Sequence, residues 1–408
     1  MAKANVMRPE LVPASPETTN TRDPDFSLVL GGPLYQLYMR THLMRPALEL
    51  VGRRVLGVIL ICWLPLLLLA AFQGNLTGGV RVPFLYDPDP HIRLLLSLPL
   101  MVGAELLVHQ RIKVVVGQFL HRNMIAPEDR LKFDELIASA MRMRNSVLFE
   151  VVLLVFVFTV GHWVWRQGVS LSGATWYATG EGFRNRLTPA GYWYAFVSLT
   201  TFRFIMYRWY YRLFIWYRFL WQVRKLSLRV NLYHPDRVAG LGFLTASVPA
   251  FAPVFMAQSI VVAGVIFGRI LYLGRTLPQF KIEITCCVLF LALILLLPLT
   301  FFALKLEYTG RVAKAEFGVL ASHYVNDFRR KWVVEQLQDR ESMLGTSDLQ
   351  SLADLGNSFG VVNEMRLFPI TKQAVLRLVV ALAVPFLPLT LTMFPLDQIL
   401  QRLFRILL

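Results

Sequence analysis

The chain has 408 residues, of which 55% are hydrophobic and only 17% are charged, and its net charge is +16. Soluble domains carry nearer a quarter charged residues, so this composition excludes an ordinary soluble protein. The three cysteines, Cys62, Cys286 and Cys287, lie in apolar runs and form neither a disulfide framework nor a zinc motif. The chain also lacks the motifs of nucleotide-binding proteins, hydrolases, zinc proteases and kinases. We therefore expect no metal, no cofactor and no catalytic residue.

Seven apolar runs are long enough to cross a bilayer, which takes about 20 mostly apolar residues. The sequence therefore predicts an all-α, polytopic transmembrane helical bundle with about seven spans, with six or eight as the alternatives. The predicted spans are Val55–Phe72, Ile92–Val108, Val147–Trp165, Tyr192–Arg212, Phe243–Leu273, Ile284–Leu306 and Ala374–Phe394.

Positive charges are distributed unequally between the two sides of this bundle. With the N-terminus in the cytoplasm, 32 of the 42 Lys and Arg residues fall on the cytoplasmic side. Basic cytoplasmic loops are typical of multi-pass membrane proteins, so the asymmetry predicts a cytoplasmic N-terminus. The basic loops then face anionic membrane lipids, and no nucleic acid partner is needed to explain the charge.

The first region in chain order is an N-terminal tail. Residues 1–30 are polar, are rich in Pro and Thr, and lack the apolar core of a signal peptide. We interpret them as a disordered cytoplasmic tail. Residues 31–306 then form a transmembrane bundle of spans one to six. Its cytoplasmic loop 109–146 is predicted to be helical, with a break at Ala126–Pro127 and a new helix after the break.

The fourth apolar run differs from a simple lipid-facing span. Between Tyr192 and Lys225 the chain has fifteen aromatic residues and five arginines but no acid. Arg203, Arg208 and Arg212 are separated by five and four residues, whereas a voltage sensor has a basic residue at every third position. On a helix, Arg208 and Arg212 lie about 40° apart, and Arg203 points to another sector. We therefore expect a helix surrounded by protein and water, not by lipid.

Arginines within a membrane need counter-charges. Glu105 and Glu150 lie near the inner ends of the second and third runs, at the depth of Arg208 in the fourth. Three interpretations stay open. The charges form a buried ion-pair cluster that sets the register of the helices, they line a pathway for ions or small anions, or the innermost arginines bind lipid headgroups.

The turn before the fifth run is a second candidate site. His234, Pro235 and Asp236 are followed by Gly240 and Gly242, and the apolar run that starts here is too long for one untilted span. We interpret the segment as a broken helix at the entrance of the span, because discontinuous helices often form binding sites in transporters. The simpler alternative is a Pro/Gly turn that is capped by the aspartate.

Further along the fifth run, two prolines and two glycines shape the expected helix. Pro249 and Pro253 are expected to interrupt it. Gly264 and Gly268 form a G-x-x-x-G pair, which permits close approach of a second helix. Packing within the chain is favoured over dimerisation at this pair.

The longest region between spans is the cytoplasmic helical region 307–372. In its first half apolar side chains recur at steps of three or four, which predicts an amphipathic helix that prolongs the sixth span. A short helix over Asp348–Leu355 is expected to end at Gly356. The apolar stripe of the long helix needs a covering surface, so we expect a homo-oligomer or a cytoplasmic protein partner. Residues 373–408 are assigned to the last span and a C-terminal amphipathic helix.

Three segments carry a resemblance to a known group of proteins. They are HPDRVAGLGFL at 234–244, LQSLADLGNSFGVVNEMR at 349–366 and TMFPLDQIL at 392–400. In these segments the chain resembles uncharacterised bacterial multi-pass inner-membrane proteins. The resemblance covers the C-terminal half and implies a location in the bacterial inner membrane, and it implies no activity and no functional residue.

Taken with the charged fourth span and the broken entrance of the fifth, these features favour a membrane pore or transport protein for ions or small anions. The alternative is a non-catalytic assembly or regulatory subunit that binds a partner through its cytoplasmic helices. A further alternative is a membrane-embedded lipid-modifying enzyme, for which only His234 and Asp236 approach a catalytic pair.

Overall fold

A computed structural model describes residues 26–33, 35–36, 51–168, 175–179, 186–231, 233–334 and 346–393. The structure is about 80% helical, and the strands in the described part are the antiparallel pair Ala178–Thr179 and Arg186–Leu187. Long helical segments make up the rest of the described fold, and we number them in chain order. They are α1 (Val51–Phe72), α2 (Pro88–His121), α3 (Arg130–Arg144), α4 (Val147–Gly168), α5 (189–223), α6 (Leu241–Leu273), α7 (Leu277–Val334), α8 (Asp348–Asn363) and α9 (Lys372–Met393).

Five of these helices, α1, α2, α6, α7 and α9, are long and apolar enough to cross a membrane. The remaining two predicted spans are helical as well. The described apolar stretch of α4, Val147–Thr159, is shorter than a span, and α5 carries several arginines. The predicted all-α class is therefore confirmed, while the count of seven spans stays a prediction.

Besides the π-helical end of α7 at Arg330–Val334, two of the helices contain π-helical turns near one end. In α2 the turn covers Ile92–Ser97, and in α5 it covers Tyr194–Ser198. α5 begins after Thr188, whose hydroxyl accepts a hydrogen bond from the Gly191 N–H at 3.0 Å and so caps the helix. π-helical turns are rare and occur frequently beside functional groups, and charged side chains lie next to both of these.

The entrance of α6 is irregular, as the sequence suggested. A 3₁₀ turn over Leu241–Ala246 leads into the α-helical part Ser247–Leu273. The expected interruption at the two prolines is not observed, because the helix continues through Pro249 and Pro253 to Leu273. Pro249 is tolerated because it lies in the first turn, where the N–H groups have no partner within the helix in any case. Pro253 lies inside the helix and removes one of its backbone hydrogen bonds without ending it.

The two glycines of α6 face α2. A Cβ atom at Gly264 would approach the Ile92 Cγ2 atom to 2.9 Å, and one at Gly268 would lie 3.7 Å from the Pro88 Cγ atom. The pair thus allows the close contact between α6 and α2, which is the most extensive helix–helix contact of the described fold.

The region 307–372 differs from the expectation at one point. α7 is continuous from its apolar part to Val334, as the amphipathic pattern predicted. α8, however, does not end at Gly356 and runs from Asp348 to Asn363. Its Val362 packs with Ala313 and Phe317 of α7, and this contact stabilises the longer helix despite the glycine. The predicted C-terminal amphipathic helix after Met393 lies outside the described residues.

The N-terminal tail is shorter than predicted. Its residues 1–25 lie outside the described part, but Phe26, Leu28 and Val29 are buried. The Phe26 ring lies 5.0 Å from the Phe219 ring and 6.4 Å from the Trp216 ring, centroid to centroid. Residues 26–30 were assigned to a disordered tail because the sequence around them is polar. Their apolar side chains instead pack beside α5, so this segment belongs to the bundle.

Candidate functional site

The first candidate site is the group of charges on α5. Glu105 of α2 is its centre: it accepts a hydrogen bond from Arg212 Nη1 at 2.9 Å and a second one from Arg54 of α1. Arg208 Nη1 lies 3.9 Å from the same carboxylate, and Arg208 Nε lies 3.2 Å from Glu150 Oε1 of α4. All five side chains are buried. The structure thus brings Glu105, Glu150, Arg208 and Arg212 together, and it adds Arg54, which the sequence analysis did not select.

The N-terminal segment closes this cluster. The backbone carbonyl of Gly31 accepts a hydrogen bond from Arg208 Nη2 at 3.4 Å. The carbonyl of Ser27 accepts one from Arg144 Nη1 at 2.6 Å, and the Ser27 hydroxyl lies 2.9 Å from His109 Nδ1. Residues 26–32 therefore lie over the charges and hold them away from solvent.

Little space remains beside these charges. The cavity next to Arg208 and Glu150 has a volume of about 10 Å³, which is near the lower limit for one water molecule. The Nε and Nη2 atoms of Arg54 are buried and have no hydrogen-bond partner among the described residues. Buried, paired charges of this kind are compatible with a role in helix packing, and the described residues leave almost no free volume beside them.

Arg203 does not belong to this cluster, although the sequence analysis grouped it with Arg208 and Arg212. It interacts electrostatically with Arg93 and Asp89 at the other end of α5. There Asp89 accepts hydrogen bonds from Arg93 Nη2 at 2.5 Å and from the Tyr194 hydroxyl at 2.6 Å. Arg203 lies five residues before Arg208, which is about 7.5 Å along the helix axis and on another side of the helix. The two groups of charged side chains are therefore separate. The Asp-Pro-Asp-Pro-His run at the start of α2 was the available signal for this second cluster.

The second candidate site is the turn before α6, which a single carboxylate organises. Asp236 Oδ1 accepts hydrogen bonds from the Val238 N–H at 2.9 Å and the Gly240 N–H at 3.1 Å, and Oδ2 accepts one from the Gly242 N–H at 2.9 Å. His234 Nδ1 lies 3.0 Å from Asp236 Oδ1. Both oxygens of the carboxylate thus accept hydrogen bonds from the backbone, so Asp236 caps the turn.

The local geometry of the turn explains why glycine is found at both positions. Gly240 has a φ of 89°, in the left-handed region that glycine enters without steric cost. At Gly242 a Cβ atom would lie 2.8 Å from Asp236 Oδ2. Arg237 and Ala239 also have positive φ values, of 60° and 55°, which are costly for residues with a side chain. The hydrogen bonds to Asp236 offset this backbone strain.

The pKa of Asp236 reflects the same contacts. Burial acts to raise it, but the three backbone N–H groups and the neighbouring His234 together outweigh burial, so the pKa lies below its ordinary value. The carboxylate is therefore charged at neutral pH.

Arg366 joins this turn to the segment before α9. Its backbone N–H donates to the Arg237 carbonyl at 2.8 Å, its Nη2 to the Asp236 carbonyl at 2.9 Å and its Nη1 to the Ile370 carbonyl at 3.1 Å. Its Nε atom is buried and has no hydrogen-bond partner among the described residues. A buried donor without a partner is costly, so a ligand or water that accepts from this atom would be stabilising.

A basic cavity opens beside the turn. Its volume is about 510 Å³, and its walls include Arg122, His234, Arg237 and Arg366. A smaller cavity of about 220 Å³ shares Arg122 and His234 and adds Arg229. The acid on the walls of the larger cavity is Asp236, whose carboxylate already binds the backbone, and the described residues that line the smaller cavity include no acid. We call the larger space the basic cavity.

The chemistry of the basic cavity suits an anion. Guanidinium groups form paired hydrogen bonds with phosphate and carboxylate oxygens. A volume of about 510 Å³ is within the range of small-molecule sites. The described residues contain no group of three or more His, Cys, Asp or Glu that could hold a metal ion.

The sequence analysis selected His234, Asp236, Gly240 and Gly242 but missed the arginines of this cavity. Arg122 follows the end of α2, and Arg366 lies in the segment 349–366 that carries part of the resemblance. Neither has a pattern that marks it, because the fold alone brings them beside the turn.

Comparison with known proteins gave no match among protein-family models, curated proteins or solved structures. The functional assignment therefore depends on the two charged clusters and the basic cavity.

Proposed function

We propose that this protein is a membrane protein that binds an anionic group in the basic cavity, and that this binding serves the movement or recognition of small anions or anionic molecules. The single observation that carries the proposal is the concentration of Arg122, Arg366 and Arg237 around one open cavity, where Arg237 also pairs with Glu364 at 2.5 Å. The sealed cluster around Glu105 is assigned a structural role, because its adjoining cavity has a volume of only about 10 Å³.

The proposed setting follows from the distribution of charge. We place the protein in the bacterial inner membrane with seven spans and a cytoplasmic N-terminus, because this arrangement puts the majority of Lys and Arg residues inside. The basic cavity lies where α2 ends and where α6 and α9 begin, and this orientation places it at the cytoplasmic surface.

A second candidate function is favoured by a different surface. On the far part of α7, Val319, Leu320, Val325 and Val333 are exposed apolar side chains. A subunit that binds a second copy or a cytoplasmic partner there would cover them. This alternative gains weight if the folded protein binds no anion.

Anion binding is directly measurable on the purified full chain in detergent. Titration calorimetry with inorganic phosphate, at constant ionic strength, should show binding by the wild type. Arg122→Gln should weaken it about tenfold or more, because a hydrogen bond to a charged group is lost. Arg122 is the chosen target, since the hydrogen bonds that its guanidinium would lose are one to Gln118 Oε1 of α2 at 2.7 Å and one to the Gly240 carbonyl at 3.3 Å.

The matched control is Arg311→Gln on α7. Arg311 is exposed and lies 3.7 Å from Glu307, so its loss removes the same charge from a residue that does not line the basic cavity. Phosphate binding should be unchanged in this variant. An absence of phosphate binding by the folded wild type, or an equal loss in both variants, contradicts the proposal.

A further inference from the structure

An apolar groove runs between α6 and α9, directly beside the basic cavity. It has a volume of about 360 Å³, and small or apolar side chains form both walls. The residues on α9 recur at steps of four and three, so they share one face of that helix. The walls consist mainly of Val248, Pro249 and Ala252 on α6 and of Ala374, Leu378 and Ala381 on α9.

The groove and the basic cavity are adjoining compartments. Thr245 and Thr371 line both of them. The Thr245 hydroxyl donates to the Pro369 carbonyl at 2.5 Å, and the Thr371 hydroxyl accepts from the Ala374 N–H at 3.1 Å. Both hydroxyls are therefore bound to the backbone, and they mark a fixed boundary between a basic space and an apolar one.

The position of the groove along the helices matches the depth of a lipid chain. It covers residues 245–252 of α6 and 374–381 of α9, which is about 10 Å along each helix axis. This is about a third of the hydrocarbon thickness of a bilayer. The basic cavity lies at the end of α2 and at the starts of α6 and α9, which in the proposed orientation is the level of the lipid headgroups. Arg377 is the charged residue on the groove walls, and no acid lines the groove.

We propose that the anionic group in the basic cavity is the phosphate of an anionic phospholipid, and that an acyl chain of this lipid lies in the groove between α6 and α9. The inference rests on the proposed function, because it names the anion that the basic cavity binds. A free anion would occupy the basic cavity and leave the groove empty. An anionic phospholipid fits both compartments, since its phosphate meets the arginines and its chain covers the apolar walls.

The test compares three probes on the full chain in detergent: inorganic phosphate, phosphatidylglycerol, and phosphatidylcholine with the same acyl chains. Native mass spectrometry and titration calorimetry measure their binding. Phosphatidylglycerol should bind at least tenfold more tightly than the other two. Ala381→Phe, which fills the groove, should weaken phosphatidylglycerol binding about tenfold and leave phosphate binding unchanged. Arg122→Gln should weaken both.

Two further variants make the test independent of folding defects. Ala252→Phe fills the groove from the α6 side and should repeat the effect of Ala381→Phe. Leu376→Phe adds bulk to the exposed face of α9, outside the groove, and should have no effect on lipid binding. Each variant is compared with the wild type by its thermal unfolding midpoint.

The outcomes separate the two proposals. If neither phosphate nor phosphatidylglycerol binds, the proposed function itself fails. If phosphate binds and Arg122→Gln weakens it, but phosphatidylglycerol binds no more tightly, the protein recognises a free anion and the lipid inference is overturned. Equal binding of phosphatidylcholine, or unchanged lipid binding in both groove variants, overturns it as well.

Discussion

At the scale of single residues, one carboxylate and a few arginines define the candidate site. Asp236 accepts three backbone hydrogen bonds and so holds Arg237 and Ala239 at positive φ values. That conformation places the Asp236 and Arg237 carbonyls where Arg366 can bind them. Asp236 thus holds the turn that forms part of the wall of the basic cavity, and the arginines supply the positive charge of the cavity.

The Asp236→Asn variant should show this role as a pH-dependent loss of stability. At pH 7 it should unfold more easily by about 2 kcal/mol, because charge-assisted hydrogen bonds are lost. The pKa of Asp236 is lowered in the folded state, so the stabilisation is complete above the ordinary pKa of about 4 and is lost as the pH falls through the lower folded value. The difference between variant and wild type should therefore shrink below about pH 4.

Thermal unfolding in detergent across this pH range provides the measurement. Asp134→Asn is the control, since Asp134 is an exposed residue of α3 that lies 3.5 Å from Arg130. It should unfold like the wild type throughout. A constant difference between Asp236→Asn and the wild type down to pH 3 would show that charge is not the source of the stabilisation.

At the scale of helices, the packing of α6 on α2 is the most extensive contact of the described bundle. The helices approach closely at Gly264, where the neighbouring atom is on the β-branched and therefore stiff Ile92. The same part of α2 contains the π-helical turn Ile92–Ser97, and Ser97 donates from its hydroxyl to the Ala257 carbonyl at 2.9 Å. Close backbone contact and this hydrogen bond together set the register of the two helices.

Gly264→Ala should test this contact. The added methyl group would lie 2.9 Å from Ile92 Cγ2, so we expect a destabilisation of about 1–3 kcal/mol, typical of overpacking. Gly268→Ala is the matched control, because its methyl group would lie at an ordinary distance of 3.7 Å from Pro88 Cγ. The combination of Gly264→Ala with Ile92→Ala should recover part of the loss. If the two single glycine variants unfold alike, the close approach at Gly264 is not limiting.

At the scale of the whole molecule, the cluster around Glu105 connects four helices. Arg54 comes from α1, Glu105 from α2, Glu150 from α4, and Arg208 and Arg212 from α5. Residues 26–32 cover it. These contacts join the first half of the chain to the arginine-rich helix, and they explain why that helix tolerates arginines among its aromatic side chains.

For three residues of this cluster, the position along the predicted span was enough to predict that they meet. Glu105, Glu150 and Arg208 lie at comparable distances from the ends of their apolar runs, so their meeting was predictable. The participation of Arg54 was not predictable. Arg54 precedes the predicted span by one residue, and a long side chain at that position ordinarily extends to the membrane–water interface. The basic cavity was unpredictable for another reason. Arg122 and Arg366 are far apart in sequence, and only the folded chain brings both beside the turn at Asp236.

Removal of the central acid should affect the whole bundle. Glu105→Gln leaves three buried arginines with one fewer counter-charge, and the loss of one partner from a buried ion pair costs about 3–5 kcal/mol. Glu150→Gln should cost less, because it leaves the central Glu105 carboxylate and its contacts with Arg54 and Arg212 in place. Unfolding midpoints in one detergent provide the comparison. Adding Arg54→Met to Glu105→Gln should restore part of the stability, since it removes one of the stranded charges. If Glu105→Gln unfolds at the wild-type midpoint, the cluster is solvated and the assigned structural role is wrong.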